Sequence, residues 1–235
     1  MPEGRRIAFF GGSFDPPHLG HLAVARAARQ ALGLDTVLFA PVGAQPLKPR
    51  GSTASFADRV EMTRLAIAGE TGFAVSLVDA PAAGVAGSIP NYTIDTLLHL
   101  RSEMPAADTL FCLMGADSFL ALRRWHRGAE IPFAAPLIVA ARPGEDLKDL
   151  GVVLPAGLSV EAEAAQPGTV ELRTCLLRNQ AGNVTPLYLL PGLHVEISAS
   201  EIRRQARAAA GRLPSGHELL PDAVTEYIAV HGLYR

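Results

Sequence analysis

The stretch GGSFDPPHLGH, residues 11–21, follows directly on a short apolar run near the start of the sequence. Gly11 and Gly12 can adopt backbone conformations that other residues resist, and they let a ligand approach the main chain. The two consecutive prolines stiffen the turn, so the next helix is expected to begin near Pro17 or His18. The stretch therefore predicts a buried strand, a tight turn and a helix N-terminus in immediate succession.

A helix N-terminus at this point would attract phosphate, because it carries unpaired N–H groups and a partial positive charge. His18 and His21 are three residues apart, so both side chains lie on one face of the first turn. The loop has neither a GxGxxG nor a GK[ST] pattern, which argues against a dinucleotide-binding dehydrogenase and a P-loop enzyme. Two alternatives are an ordinary turn with exposed histidines and a metal site, but the remaining histidines are scattered along the chain. We predict that the loop binds phosphate.

Outward from this loop, apolar runs typical of buried strands alternate with helical patterns. Predicted strands lie at 6–12, 36–41, 73–78, 108–115 and 135–144, and predicted helices at 18–33, 55–69, 93–104, 116–125, 198–211 and 221–235. Short strands that alternate with helices form βαβ units, so we expect an α/β fold with a doubly wound parallel sheet and flanking helices. Ligands of such sheets bind at the carboxyl ends of the strands.

The length of 235 residues fits one α/β domain, and we predict a single domain over residues 1–235. Residues 143–190 are harder to interpret and form an uncertain insert or hairpin region, with a possible hairpin at 170–190. Residues 197–235 are predicted to be a small C-terminal helical portion.

Charge and composition exclude several classes of protein. The net charge of −2 argues against a nucleic-acid-binding surface. The two cysteines provide no disulfide framework, and Cys112 lies in an apolar run where it is expected to be buried. The apolar runs are too short for a signal peptide or a membrane span. These features predict a cytoplasmic protein that binds neither nucleic acid nor membrane.

The opening loop resembles the G-G-x-F-D-P-x-H-x-G-H loop of the nucleotidyltransferases with an HxGH motif. That resemblance implies a Rossmann-like fold and the transfer of AMP or CMP onto a phosphate. It also implies a second phosphate-binding motif, ISxTxIR, which the segment ISASEIRR at residues 197–204 matches with Ser200 in place of Thr. Here Ser198 and Glu201 have the spacing of a capping box, and Arg203 falls on the first turns of the helix, where it can reach a phosphate.

Further segments narrow the resemblance to the bacterial nicotinate-nucleotide adenylyltransferases. These segments are PNYTIDTL (90–97), GADSFLALRRW (115–125), ARPG (141–144) and LLPDAVTEYIAVHGLYR (219–235), whereas residues 145–190 carry no such match. The implied reaction joins ATP and nicotinate mononucleotide to give deamido-NAD and pyrophosphate. The implied cofactor is Mg²⁺, held mainly by the ATP phosphates and water, with no metal ligand from the protein.

The resemblance also implies the site residues, with His18, His21 and Arg203 as the catalytic group. The expected ATP-binding residues are Gly11, Gly12, Ser13, Phe14, His18, His21, Lys48, Asp117, Ser198 and Arg203. The expected mononucleotide-binding residues are Tyr92, Thr93, Trp125 and Arg142. The family usually has His immediately before the lysine, whereas this chain has Leu47 there, and the alternative role of Lys48 is that of a solvated loop residue.

Two other functions stay open on the sequence alone. One is an adenylyltransferase for NMN or phosphopantetheine, and the other is a catalytically silent nucleotide-sensing module. The sequence does not decide the oligomeric state. Both histidines, the serine and the arginine of the two motifs are present, which favours an active enzyme.

Overall fold

Strands and helices alternate over the first half of the chain, whereas three successive strands and then two helices come last among the described elements. The structure is a computed structural model that describes residues 4–46, 51–81, 90–141, 150–165, 172–190, 197–210, 213 and 218–235. The strands are β1 (Arg6–Gly12), β2 (Thr36–Pro41), β3 (Phe73–Val75), β4 (Thr109–Gly115), β5 (Leu137–Ala140), β6 (Leu158–Ala165), β7 (Arg173–Asn179) and β8 (Val184–Leu190). The helices are α1 (Leu19–Leu32), α2 (Phe56–Ile67), α3 (Thr93–Glu103), α4 (Ala116–Ala121), α5 (Ile131–Ala134), α6 (Leu150–Val153), α7 (Ala199–Ala208) and α8 (Asp222–His231), with a 3₁₀ turn at Leu122–Arg124.

These strands form a mostly parallel sheet in the order β3-β2-β1-β4-β5-β8-β7-β6. β4 is parallel to both β1 and β5, with Ala8 opposite Phe111 and Met114 opposite Val139. β8 continues the parallel part beside β5, and β7 and β6 add an antiparallel extension. The predicted Rossmann-like α/β fold is confirmed, because the order reverses between β1 and β4 as in doubly wound sheets.

The centre of the sheet is built from apolar residues. Every residue from Leu110 to Met114 is buried, and so is every residue of β5. Strands that are covered on both faces read as continuous apolar runs, which is why the sequence pattern located them. Cys112 is buried as predicted, and this burial raises the pKa of its thiol to about 12. A thiol with so high a pKa is unreactive at neutral pH.

The chain forms two compact units, each assembled from separate stretches of sequence. The first comprises Met1–Phe10, Val24–Val37 and Tyr92–His194, and the second comprises Gly11–Ala23, Leu38–Asn91 and Val195–Arg235. The first unit therefore contains β4–β8 and α3–α6. The second unit contains the loop at 11–21 together with α2, α7 and α8, so both predicted phosphate motifs belong to it. The single domain expected over residues 1–235 stays a prediction.

Several predicted elements are shorter in the structure. The predicted helix at 116–125 ends at Ala121 and continues as the 3₁₀ turn, and the predicted helix at 221–235 ends at His231. The predicted strand at 73–78 ends at Val75, because the Ser76 hydroxyl accepts a hydrogen bond from the N–H of Val78 and turns the chain. The possible hairpin is confirmed, since β7 and β8 pair antiparallel across a turn in which Gly182 has φ of 84°. In the described part of the chain, no helix is both long and apolar enough to cross a bilayer.

Candidate functional site

Phe14 anchors the loop between β1 and α1. Its side chain is 1% exposed and packs against Phe39, with ring centroids 5.6 Å apart, and edge-on against His21, at 5.0 Å. A Cβ atom on Gly12 would lie 3.2 Å from this ring, so glycine lets the strand end close to it. The buried Phe14 side chain therefore fixes the position of the loop. A contact between Phe14 and ATP would have to use the backbone, since the side chain is enclosed.

The two histidines of the loop lie side by side at the start of α1, as predicted from their spacing. Their rings stack with centroids 3.7 Å apart and an interplanar angle of 28°. The backbone N–H of His18 donates to Nδ1 of His21 at 3.1 Å. Because Nδ1 accepts this hydrogen bond, it carries no proton, and the neutral His21 ring is protonated on Nε2.

His21 is neutral at physiological pH. Burial lowers the pKa of its imidazole well below the usual value, and the neighbouring His18 lowers this pKa further. The sequence left the protonation state of this histidine open, since a helix dipole and a phosphate act in opposite directions on it. The geometry makes His21 a hydrogen-bond donor through Nε2, with no net charge of its own.

The lowered pKa of His21 predicts a loss of stability in acid. The folded state holds this imidazole neutral below the unfolded pKa of about 6.5, so unfolding takes up a proton there. The contribution of neutral His21 to the free energy of unfolding is complete above about pH 6.5 and is lost as the pH falls through the folded pKa. We expect urea unfolding to show a larger loss of stability between about pH 7.5 and about pH 5.5 for the unmodified protein than for His21→Asn. Asparagine can still accept from the His18 N–H, and equal losses in the two proteins would contradict the assignment.

Arg203 contacts the same loop from the start of α7. Its guanidinium donates from Nη1 to the carbonyl oxygen of Asp15 at 2.7 Å and from Nη2 to the Ser200 hydroxyl at 3.2 Å. Asp15 lies three residues before His18, so the structure brings the two sequence motifs together within one compact unit. The side chain of Arg203 keeps 22% of its surface exposed.

The predicted capping box of α7 is wrong. Ser198 occupies the N-cap position, but its side chain makes no capping hydrogen bond. Glu201 instead accepts from the guanidinium of Arg204 and the amide of Gln205, one turn further along the helix. These hydrogen bonds lower the pKa of Glu201, and they draw its carboxylate away from the N-cap. The Ser198 hydroxyl is therefore not used as a helix cap.

Arg59 on α2 is a site residue that the sequence reasoning missed. It is 2% exposed, and its guanidinium donates to the carbonyl oxygens of Ser13 at 2.7 Å and Val42 at 2.8 Å. It thereby joins the loop after β1 to the loop after β2. The signal was present in the sequence, because Arg59 shares a helical stripe with the buried residues Thr63 and Ala66.

Within the first unit, the predicted mononucleotide-binding residues lie at helix and turn ends. Tyr92 is the N-cap residue of α3 without a side-chain capping bond, and Thr93 is the first residue of that helix. The ring centroids of Tyr92 and His126 lie 4.4 Å apart, and the sequence did not suggest this contact. Trp125 follows the 3₁₀ turn and is half-buried.

Asp117, a predicted ATP-binding residue, is exposed in the first turn of α4. The N-cap of this helix is Gly115, so Asp117 is not the cap residue.

Some predicted residues cannot be located. Lys48, with its neighbour Leu47, and Arg142 lie outside the described residues. Their expected contacts with ATP and with the mononucleotide stay predictions.

Comparison with known protein sequences gives matches over nearly the whole chain. A family model described as "Cytidylyltransferase-like" matches residues 9–205. A protein from Gloeobacter violaceus named "Probable nicotinate-nucleotide adenylyltransferase" is 40% identical over 232 residues, which are 98% of this chain and 97% of that protein. A protein of the same name from Geobacter sp. (strain M21) is 38% identical, over 97% of this chain and 98% of that protein.

Comparison with solved structures supports the fold. Nicotinic acid mononucleotide adenylyltransferase from Plasmodium falciparum, complexed with NaAD, superposes with a TM-score of 0.68 at 17% identity. The match covers 98% of this chain and 97% of that chain. The same protein complexed with APC gives a TM-score of 0.67, also at 17% identity. Identity at this level establishes a shared fold.

Proposed function

The chain belongs to the cytidylyltransferase-like family and, within it, to the nicotinate-nucleotide adenylyltransferases, and from this premise we propose that it joins ATP to nicotinate mononucleotide. The products are deamido-NAD and pyrophosphate. The observation that carries the proposal is the meeting of the two motifs, in which Arg203 is hydrogen-bonded to the loop that leads into the stacked histidines.

The chemistry needs hydrogen-bond donors more than a base. A phosphate oxygen of the mononucleotide attacks the α-phosphorus of ATP, the bond to the bridging oxygen breaks, and pyrophosphate leaves. The attacking oxygen is ionised at neutral pH, so no proton has to be removed from it. Negative charge accumulates on the leaving pyrophosphate, and fixed donors that meet this charge lower the barrier.

The residues of the loop and of α7 are suited to that role. His21 offers an Nε2–H whose direction is set by the hydrogen bond at its other nitrogen. His18 lies against it and is proposed to donate to the α- and β-phosphates together with it. Arg203 and the Ser198 region are proposed to hold the β- and γ-phosphates. The glycines 11 and 12 and Ser13 would bring the backbone close to the nucleotide.

Mg²⁺ enters this proposal as part of the MgATP substrate. Among the residues that the structure describes, no three His, Cys, Asp or Glu side chains cluster as metal ligands. Asp15, the carboxylate of the phosphate loop, has both oxygens engaged by Thr53, Ala54 and Tyr234. This donor set fits a cation carried by the nucleotide's own phosphates and water, since Mg²⁺ keeps most of its hydration shell.

The proposed mononucleotide contacts come from the first unit. The N-terminus of α3, at Tyr92 and Thr93, presents backbone N–H groups that would favour the carboxylate of nicotinate over the carboxamide of NMN. Trp125 is proposed to stack on the pyridine ring, and Asp117 to accept hydrogen bonds from the ribose hydroxyls of ATP. Arg142 is proposed to bind the mononucleotide phosphate, and Lys48 to add positive charge near ATP.

Residues 1–235 are proposed to act as a single nucleotidyltransferase domain whose partners are ATP and nicotinate mononucleotide. The short apolar runs and the lack of a disulfide framework favour the cytoplasm as the place of the reaction.

The test is pyrophosphate release measured with ATP and each of three acceptors: nicotinate mononucleotide, NMN and phosphopantetheine. We expect kcat/KM for the acid to exceed that for the amide about 100-fold, because the amide would present its own NH₂ to the backbone N–H donors at the start of α3 and would lose a hydrogen bond to a charged acceptor. Comparable or faster turnover of NMN or phosphopantetheine would replace the proposed acceptor. No turnover with any acceptor, in a protein that binds ATP, would indicate a nucleotide-sensing module.

A further inference from the structure

The carboxylate of Asp15 is buried and accepts hydrogen bonds on both oxygens. It is 4% exposed, and its Oδ2 accepts from the backbone N–H of Thr53 at 2.6 Å. Its Oδ1 accepts from the backbone N–H of Ala54 at 3.0 Å and from the hydroxyl of Tyr234 at 2.8 Å. Three donors therefore disperse the negative charge of a group that could otherwise attract any nearby cation.

Arg59 and Arg203 are both cations near the Asp15 carboxylate. The Arg59 guanidinium is held by the carbonyl oxygens of Ser13 and Val42. Arg203 instead bonds to the carbonyl oxygen of Asp15 itself. Its Nη1 lies 2.7 Å from the Asp15 carbonyl oxygen but 3.9 Å from the carboxylate oxygen Oδ2. The second distance is beyond hydrogen-bond range. If the carboxylate lost a donor, the Arg203 guanidinium would be the strongest replacement within reach, because charged donors bind carboxylates most strongly. A guanidinium paired in that way would turn away from an anionic ligand.

The backbone after α8 takes an unusual conformation that places Tyr234 at Asp15. Gly232 ends α8 with φ of 60°, and Tyr234 itself has φ of 62°, in the left-handed region that residues other than glycine avoid. Such a conformation is unfavourable for a residue with a Cβ atom and persists only where the surroundings enforce it. Here the side chain is 5% exposed, and burial together with Asp15 raises the pKa of the Tyr234 phenol. The hydroxyl thus remains a proton donor at every relevant pH.

We propose that Tyr234 is a positioning residue for adenylyl transfer: by donating to the Asp15 carboxylate, it keeps the Arg203 guanidinium on the Asp15 carbonyl oxygen and directed at the ATP phosphates. This inference rests on the proposed function. Tyr234 acts through Arg203 and does not itself contact ATP. The pair Tyr234 and Asp15 is separated by 219 residues in the sequence.

The chain offers a matched control for this hydroxyl. Tyr227 on α8 also donates to an aspartate, Asp58 at the start of α2, at 3.1 Å. It belongs to the same compact unit as Tyr234, and its aspartate is no part of the phosphate loop. Tyr227→Phe and Tyr234→Phe each remove one phenol–carboxylate hydrogen bond. Only Tyr234→Phe should change the position of the Arg203 guanidinium.

The experiment measures MgATP binding by calorimetry in the unmodified protein, in both tyrosine variants, in Arg203→Ala, and in the Tyr234→Phe/Arg203→Ala double variant. We expect Tyr234→Phe to weaken ATP binding about 10-fold, as the loss of a hydrogen bond to a charged group would, with Tyr227→Phe unchanged. In the Arg203→Ala background, Tyr234→Phe should change binding less than about twofold, because the residue through which it acts is gone. Urea unfolding of each variant gives the accompanying change in stability.

Three results would overturn the inference. They are unchanged ATP binding in Tyr234→Phe, equal weakening in both tyrosine variants, and a full additional loss in the Arg203→Ala background. Calorimetry with MgATP needs no acceptor, so the inference is tested even if nicotinate mononucleotide proves not to be the substrate. Failure of the proposed function would appear separately, as an unmodified protein that binds ATP and does not turn over the acid. An unmodified protein that binds no ATP would overturn both.

Discussion

His18→Ala is expected to lower kcat for adenylyl transfer about 10³-fold, the effect of removing a preorganised donor from a charged transition state. The loss should fall on kcat rather than on the affinity for ATP, since the charge that His18 meets grows as pyrophosphate leaves. The substitution is well suited to the test. The backbone N–H of His18, rather than its side chain, donates to Nδ1 of His21, and alanine retains that N–H. His21 should therefore keep its tautomer, and the measured loss belongs to one imidazole.

His231→Ala is the matched control for this prediction. His231 also stacks on an aromatic ring, that of Tyr227, with centroids 3.8 Å apart, but it is exposed at the end of α8. We expect kcat of the His231→Ala variant to stay within about twofold of the value for the unmodified protein, as for other substitutions at exposed positions. Steady-state pyrophosphate release gives kcat, and circular dichroism checks the fold. A loss of less than about tenfold in His18→Ala would show that the loop histidine is not a transition-state donor.

Arg203→Ala is expected to lower kcat/KM for ATP about 100-fold or more, because a guanidinium binds phosphate through charge-assisted hydrogen bonds. The substitution also removes the hydrogen bond to the Asp15 carbonyl oxygen, so we expect a modest fall in the free energy of unfolding, which urea unfolding measures separately from activity. Arg203→Lys should recover only part of the loss, because an ammonium lacks the planar pair of donors.

The neighbouring Arg204 provides the control for Arg203. It is 74% exposed and pairs with Glu201 on the surface of α7, a contact of little energetic weight. Arg204→Ala should leave kcat/KM for ATP nearly unchanged when both variants are compared under the same ionic strength. Equal losses in the two arginine variants would indicate a general effect of positive charge and would contradict a specific phosphate contact at Arg203.

The sequence predicted the elements that local chemistry determines. The glycines and prolines of residues 11–21 located the end of β1 and the start of α1, and the spacing of His18 and His21 predicted their shared face. The aliphatic runs of β4 and β5 marked the buried centre of the sheet. In each case the determining residues are neighbours along the chain, so the pattern and the structure coincide.

The rest depended on partners that are distant in the sequence. The bond between Tyr234 and Asp15 joins residues from the two ends of the chain, and no local pattern indicates such a pair. Arg59 lies on the buried face of α2, where a charged residue is unexpected. Its burial is explained only by the carbonyl oxygens of Ser13 and Val42, which accept from its guanidinium. The capping box at Ser198 was wrong because Arg204 and Gln205 compete for the same Glu201 carboxylate, and a four-residue pattern does not contain them.

The most direct measurement is a crystal structure of the protein with a non-hydrolysable ATP analogue and Mg²⁺. The account predicts that the α- and β-phosphates lie within hydrogen-bond distance of His18 and of Nε2 of His21, with the β/γ end on the Arg203 guanidinium. It also predicts that Arg203 remains bonded to the carbonyl oxygen of Asp15. A triphosphate bound elsewhere, in contact with neither the imidazoles nor the guanidinium, would contradict the account.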